Sequence, residues 1–119
     1  MIETTVLNYL GNKLDVPVLM ELPEVPSEDF PVFPEEVVVI EKIADSVSNM
    51  LHTASIAIQS YSTNSLYDAA ALDERVRKAM DAIEELNEIG GASMESNYNF
   101  TNTGTKRYRY QCVYDIVYY

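Results

Sequence analysis

The chain of 119 residues has no tryptophan, one cysteine, one histidine, four glycines and five prolines. A lone Cys112 cannot close an internal disulfide, and with His52 as the single imidazole there is no ligand cluster for a structural zinc. The low glycine and proline content excludes collagen-like and low-complexity classes. Positive charge is scarce as well: eight Lys and Arg stand against nineteen Asp and Glu, a formal charge of −11. Such a field repels phosphate backbones and anionic lipid alike, so neither nucleic acid nor a membrane surface is expected as a bound partner. No uninterrupted apolar run is longer than that of residues 37–40, against about 18 residues for a membrane helix. The start Met1-Ile2-Glu3-Thr4-Thr5 lacks the basic and apolar regions of a secretory signal, which sets the expectation of a cytosolic chain. What is present is 47% hydrophobic residues over a length that suits one packed domain, expected to span residues 1–119.

The apolar residues fall into periodic stretches. Ile2, Val6, Leu10 and Leu14 recur at steps of four, which predicts an amphipathic helix that Gly11 could end early. Asp15-Val16-Pro17 then imposes extended backbone before a strand over 18–22. Residues 23–36 hold Pro23, Pro26, Pro31 and Pro34 among Glu24, Glu28, Asp29, Glu35 and Glu36. Proline at this density removes backbone donors, so an extended acidic loop is expected. Phe30 and Phe33 inside it are expected to dock on this domain or on a neighbour, because a solvated loop has little use for aromatic rings. A β-branched strand over 37–44, turn chemistry over 45–49 and a strand over 50–61 predict an antiparallel hairpin. Ala69, Leu72, Val76, Ala79, Ile83 and Leu86 line one side of the clearest helix, with Ser65 as N-cap and Gly90-Gly91 as the stop. Alternation from Ala92 to Phe100, a turn at 102–105 and alternation from Arg107 to Tyr119 predict a closing hairpin. The fold class is therefore α+β: a largely antiparallel β-sheet with two α-helices packed on one face, in the order α-β-β-β-α-β-β.

Candidate chemistry is sparse. His52 lies mid-strand with no nucleophile at motif spacing, and Cys112 lies among tyrosines without a feature that would activate a thiol. The carboxylate pairs Glu35-Glu36 and Glu84-Glu85 point apart on a strand or helix and form no dyad. No phosphate loop, calcium loop or metal-spaced pair is present, so no catalytic residue, cofactor or metal is assigned. Lys106, Arg107 and Arg109 form the one basic cluster. With Tyr108 and Tyr110 interleaved it imitates a nucleic-acid platform, but three cations within so acidic a chain suit ion pairing across subunits better. An acidic loop of one subunit facing this cluster on the next would be a heterologous contact of the kind that closes rings. Tyrosine is in excess, with nine residues, and Tyr98, Tyr108, Tyr110, Tyr114, Tyr118 and Tyr119 all fall in the last hairpin, more than a small domain buries. The candidate interface is thus Phe30, Phe33, Glu35, Glu36, Lys106, Arg107, Tyr108, Arg109 and Tyr110.

The stretches Ile56-Ala57-Ile58-Gln59-Ser60-Tyr61-Ser62, Ser65-Leu66-Tyr67-Asp68-Ala69-Ala70 and Asn97-Tyr98-Asn99-Phe100-Thr101-Asn102-Thr103, continued by Lys106-Arg107-Tyr108-Arg109-Tyr110-Gln111-Cys112-Val113-Tyr114-Asp115-Ile116, resemble small tail-completion proteins of long-tailed phages and prophages. These form the tail-terminator or head-tail joining group. The similarity runs nearly end to end and departs mainly over 23–34 and 46–49. It implies a non-enzymatic subunit that assembles with its own copies, typically as a hexameric ring, at the head-proximal end of the tail tube. Its implied partners are the tail tube protein and a head-connector or adaptor protein, with DNA only passing through the lumen. The implied location is the virion, after assembly in the host cytoplasm. An alternative that starts from the charge alone is an acidic DNA mimic filling the basic cleft of an enzyme. Against it, the acids alternate with apolar positions and share the main helix with Arg75, Arg77 and Lys78.

Overall fold

Ile2, Val6 and Leu10 lie one helical turn apart, and in the computed structural model they are buried on one side of helix α1 (Ile2–Lys13). The structure describes residues 1–101, 104 and 107–119; most of the expected turn at 102–105 and the cation Lys106 lie outside the described residues. Gly11 does not end α1. Its Cα faces open space, so the only cost is about 1 kcal/mol of helix propensity, and burial of Leu10 and Leu14 on either side outweighs it at about 1.5–3 kcal/mol per side chain.

The remaining elements are β1 (Val18–Leu19), β2 (Glu36–Ser48), β3 (Leu51–Ser62), α2 (Leu66–Met80), β4 (Ile89–Asn99) and β5 (Tyr108–Tyr118), with a short 3₁₀ turn at Ile83–Glu85. This is the expected α+β order. The strands form one sheet in the order β1-β2-β3-β5-β4, antiparallel except for β1 and β2, which pair in parallel. The expected strand over 18–22 shrinks to two residues because the chain bends at 20–21; a longer strand would carry Pro23, which has no N–H, towards the ladder.

The α2 cap is as expected: the Ser65 hydroxyl accepts the Asp68 N–H at 3.0 Å, and Asp68 sits at the positive end of the helix dipole. The stop is not. Helix α2 ends at Met80 with Arg77 and Lys78 in its last turn, cations that favour a C-terminus there. Glu84, Glu85 and Glu88 would have placed like charge at the end of a longer helix. Ile83 stays buried through the 3₁₀ turn, because it lies three residues beyond the buried Met80, a step that suits that geometry as well as the α-helix. Gly90 and Gly91 therefore belong to β4 and cap nothing.

Two bulges decide which side chains face which way. The β4 register shifts between Met94 and Ser96, so Ala92 and Met94 share the helix side while Tyr98, opposite Gln111, points to the other side. The expected single apolar face from Ala92 to Phe100 is thereby split, because an extra residue inverts the two-residue period. A similar shift in β2 falls between Lys42 and Ala44. Strand β2 runs on through the expected turn: Asp45, Ser46, Val47 and Ser48 pair with residues of β3. The connection is Asn49–Met50, with φ of 51° and 68°, the left-handed pair that a two-residue hairpin requires.

Helices α1 and α2 cover one face of this sheet. Val38, Ile40, Ala54, Ile56, Ile58, Cys112, Tyr114 and Ile116 form the main core with the helix stripes, and the Tyr9 hydroxyl donates to the Ala79 carbonyl at 2.6 Å, tying α1 to α2. The opposite face carries a smaller cluster of Val37, Val39 and Tyr61, flanked by Leu19 and Phe33.

Met50 holds its left-handed backbone with its side chain 90% exposed, so the strain is not compensated by packing. Met50→Gly is expected to stabilise the protein by about 1 kcal/mol, the usual cost of a side chain in that region, seen as a higher denaturation midpoint in urea. Unchanged or lower stability would show that the methionine makes a compensating contact.

Candidate interaction surface

The sheet face away from the helices is covered only in part, and its middle is polar. Gln59 on β3 and Gln111 on β5 stand opposite each other, and the Gln59 Nε2 donates to Gln111 Oε1 at 2.8 Å. The Tyr61 hydroxyl donates to Gln59 Oε1 at 2.9 Å, and Gln111 Nε2 donates to the Tyr98 hydroxyl. Arg109 extends the chain: its Nη1 donates to the Tyr61 hydroxyl at 2.9 Å and its Nε to the Phe100 carbonyl at 2.9 Å. The guanidinium carbon lies 4.1 Å from the Phe100 ring centre, and Phe100 meets Tyr98 edge-on at 5.6 Å. Buried amides at Gln59 and Gln111 would cost stability if unpaired, so this network fixes the side chains around it.

Both loop aromatics dock on their own domain. Phe33 packs against the cluster of Val37, Val39 and Tyr61, with the Arg107 guanidinium carbon 4.0 Å from its ring centre, a cation–π contact. Phe30 closes a local turn in which the Ser27 N–H donates to its carbonyl at 2.9 Å and its own N–H donates to the Ser27 hydroxyl at 3.1 Å. Its ring helps line a groove with residues 19–24. Glu35 is exposed, and its carbonyl accepts the Thr63 N–H at 2.9 Å. Glu36 opens β2 opposite Ser62. Partial burial pushes its carboxyl above the usual value of 4.5, with Asp68, Glu35 and Asp15 adding to the rise and Arg75 opposing it.

The interleaved cations and tyrosines do not share a face. Arg109 lies opposite Tyr61, whereas Tyr108 and Tyr110 lie opposite Ser62 and Ser60, on the helix side of the sheet. Strand alternation therefore divides the expected platform in two. The charge pattern is more pointed than the sequence suggests. Lys13, Lys42, Arg75, Arg77 and Lys78 are each within 4.0 Å of a carboxylate. Arg107 and Arg109 have no carboxylate partner among the described residues and lie beside aromatic rings.

His52 and Cys112, the side chains weighed for catalysis, and the buried Asp73 each have packing or hydrogen-bond partners within the domain. His52 stacks on Tyr118 with ring centres 5.1 Å apart. Asp73 is 1% exposed and accepts from Arg77 Nε at 3.0 Å and Asn97 Nδ2 at 2.8 Å, pinning α2 to β4. Cys112 is buried beneath α2; burial, reinforced by the nearby Asp73 carboxylate, pushes its thiol up to about 12, the opposite of an activated nucleophile. Burial also raises the Tyr114 hydroxyl. Among the described residues no group of three or more His, Cys, Asp and Glu is placed to hold a metal ion, and no helix is long and apolar enough to cross a membrane.

Sequence reasoning passed over Gln59, Gln111, Tyr61 and Phe100. The available signal was an amide in the middle of each of two strands otherwise rich in β-branched and aromatic residues. It also missed an exposed arm, the outer part of the β2–β3 hairpin, where Ile43, Val47, Met50 and Leu51 face solvent. No protein-family model matches this chain, and no curated protein matches it.

Two outcomes follow. In the native protein Cys112 is expected to resist a thiol-specific reagent at pH 7 and to react fully in denaturant, read as absorbance of the released chromophore; rapid native reaction would contradict the burial. Glu36 binds its proton more tightly folded than unfolded, so its ionisation opposes folding as pH rises past about 4.5. Glu36→Gln is therefore expected to raise the melting temperature at pH 7, with the gain fading below that pH. A variant equally stabilised at pH 3 and pH 7 would refute the titration account.

Proposed function

We propose that this protein is a structural component of a phage tail that caps the tail tube and takes part in tail completion and head-tail joining, working as a closed ring of identical subunits. The observation that carries the reading is the half-covered sheet. An arginine-and-tyrosine face and an apolar hairpin arm stand free on a small domain whose buried Cys112 and Asp73 are committed to the core. Such a molecule works through fitted surfaces, and its free energy of function is interface free energy. The resemblance in the strand over 56–62, the start of α2 and the last hairpin supplies the tail-completion part of the proposal. The charge of −11 accords with a lumen that lets DNA pass without holding it, because like charges repel.

Electron microscopy of phage particles produced without this protein tests the proposal. Tubes of uncontrolled length are expected if it terminates the tube, and tails of normal length detached from filled heads if it joins them. Normal infectious particles made in its absence, with the protein missing from purified wild-type virions, would refute it. The rival DNA-mimic reading predicts instead a small, salt-sensitive complex with a basic enzyme.

A further inference from the structure

Strand pairing places two unlike features at opposite ends of one lateral row. Leu19 pairs with Val39, Val39 with Gln59, Gln59 with Gln111, and Gln111 with Tyr98. All five lie on the face without helices. At the β1 end of the row is a groove lined by Leu19, Met20, Leu22, Pro23 and Phe30 and rimmed by Glu21 and Glu24. Its volume of about 470 Å³ suits side chains rather than a single water, whose share of liquid volume is about 30 Å³. Met20 and Leu22 are 42% and 39% exposed there. At the β4 end stand the edge-on rings of Tyr98 and Phe100, 40% and 42% exposed, beside the guanidinium of Arg109, which has no carboxylate partner among the described residues.

One feature is apolar with an acidic rim; the other is aromatic with a cationic flank. They match in chemistry, lie at the same height on the sheet and sit at opposite edges, so one chain cannot bring them together. A second copy set alongside can. We propose that the Tyr98–Phe100 pair of one copy seats in the Leu19–Phe30 groove of the next, with Arg109 facing Glu21 and Glu24. The contact is heterologous, joining unlike patches, and repetition about a rotation axis closes a ring. This inference rests on the ring reading above and names the surfaces that would build it.

The test uses two exposed positions whose substitution leaves the core intact: Leu22→Glu in the groove and Phe100→Glu on the aromatic pair, with folding checked by circular dichroism. Mass is followed by light scattering over a range of concentrations, alone and with purified tail tubes. Wild-type chain is expected to reach a closed-ring mass, and each variant to remain monomeric. An equimolar mixture of the two variants should give heterodimers and nothing larger, since each pair retains one intact groove and one intact aromatic patch. Variants that assemble like wild type would overturn the contact and leave the ring reading standing. A wild-type chain that stays monomeric under every condition would overturn both. Glu21→Gln with Glu24→Gln should also flatten the salt dependence of assembly; salt dependence equal to that of wild type would remove the charged part of the contact.

Discussion

Two helices lie on only one face of a five-stranded sheet, and that one-sided covering constrains the rest of the molecule. On the covered face the middles of the strands are apolar, and Ile40, Ile56, Ile58 and Ile116 pack there against the stripes of α1 and α2. On the other face the central strands β3 and β5 have no helix above them. Their middle positions are closed by the paired amides of Gln59 and Gln111, and one end by Phe33 and the loop behind it. A buried amide network tolerates little displacement, since every lost partner leaves an unpaired polar group in low dielectric. The same network holds Tyr61, Tyr98 and Arg109 in fixed orientations, so the open face is an ordered surface.

The distribution of charge follows from the same geometry. Five of the described cations are spent on local or inter-element carboxylates, most of them exposed pairs that contribute little to stability. The two that lack such partners, Arg107 and Arg109, stack on Phe33 and Phe100. Stacking keeps a guanidinium positioned while leaving its charge uncompensated, which in a strongly acidic protein makes a local site of opposite sign. Phe33 of the acidic loop already meets Arg107 within the chain, so in the proposed ring contact it is Arg109 that would face the carboxylates of Glu21 and Glu24 at the β1 edge of a second copy.

Much of the architecture was legible in advance, and the errors have specific causes. The stripes of Ile2–Leu10 and Ala69–Val76 identified both helices because burial of one side selects a 3.6-residue repeat. The Ser65 cap was readable because its hydrogen bond is local. The end of α2 was missed because Ile83 and Leu86, four and seven residues beyond Ala79, continue the helical stripe, while Met80, Ile83 and Leu86 also fall three apart, a spacing that a 3₁₀ turn accepts. The β2–β3 turn was misplaced because Asp45, Ser46 and Ser48 carry turn chemistry but pair as strand, while Met50, a poor residue for a left-handed turn, occupies it. The bulge at Met94/Ser96 left no mark in an alternation that looks unbroken. Of the candidate surface, Arg107, Arg109 and Phe33 were found from charge and aromaticity, and two-residue alternation already sets both arginines on the opposite face of the last strand from Tyr108 and Tyr110; which of those faces the helices cover was decided by the tertiary structure.

The amino-acid sequence by itself determined the fold class, the buried stripes of both helices and the excess of acid over base, because burial periodicity and net charge are sums over local positions. Which strands are neighbours, where the bulges fall, and the meeting of Gln59 with Gln111 and of Phe33 with Arg107 were decided only by the tertiary structure. Those contacts join residues far apart in the chain, and their energies depend on register, a quantity that no single segment contains.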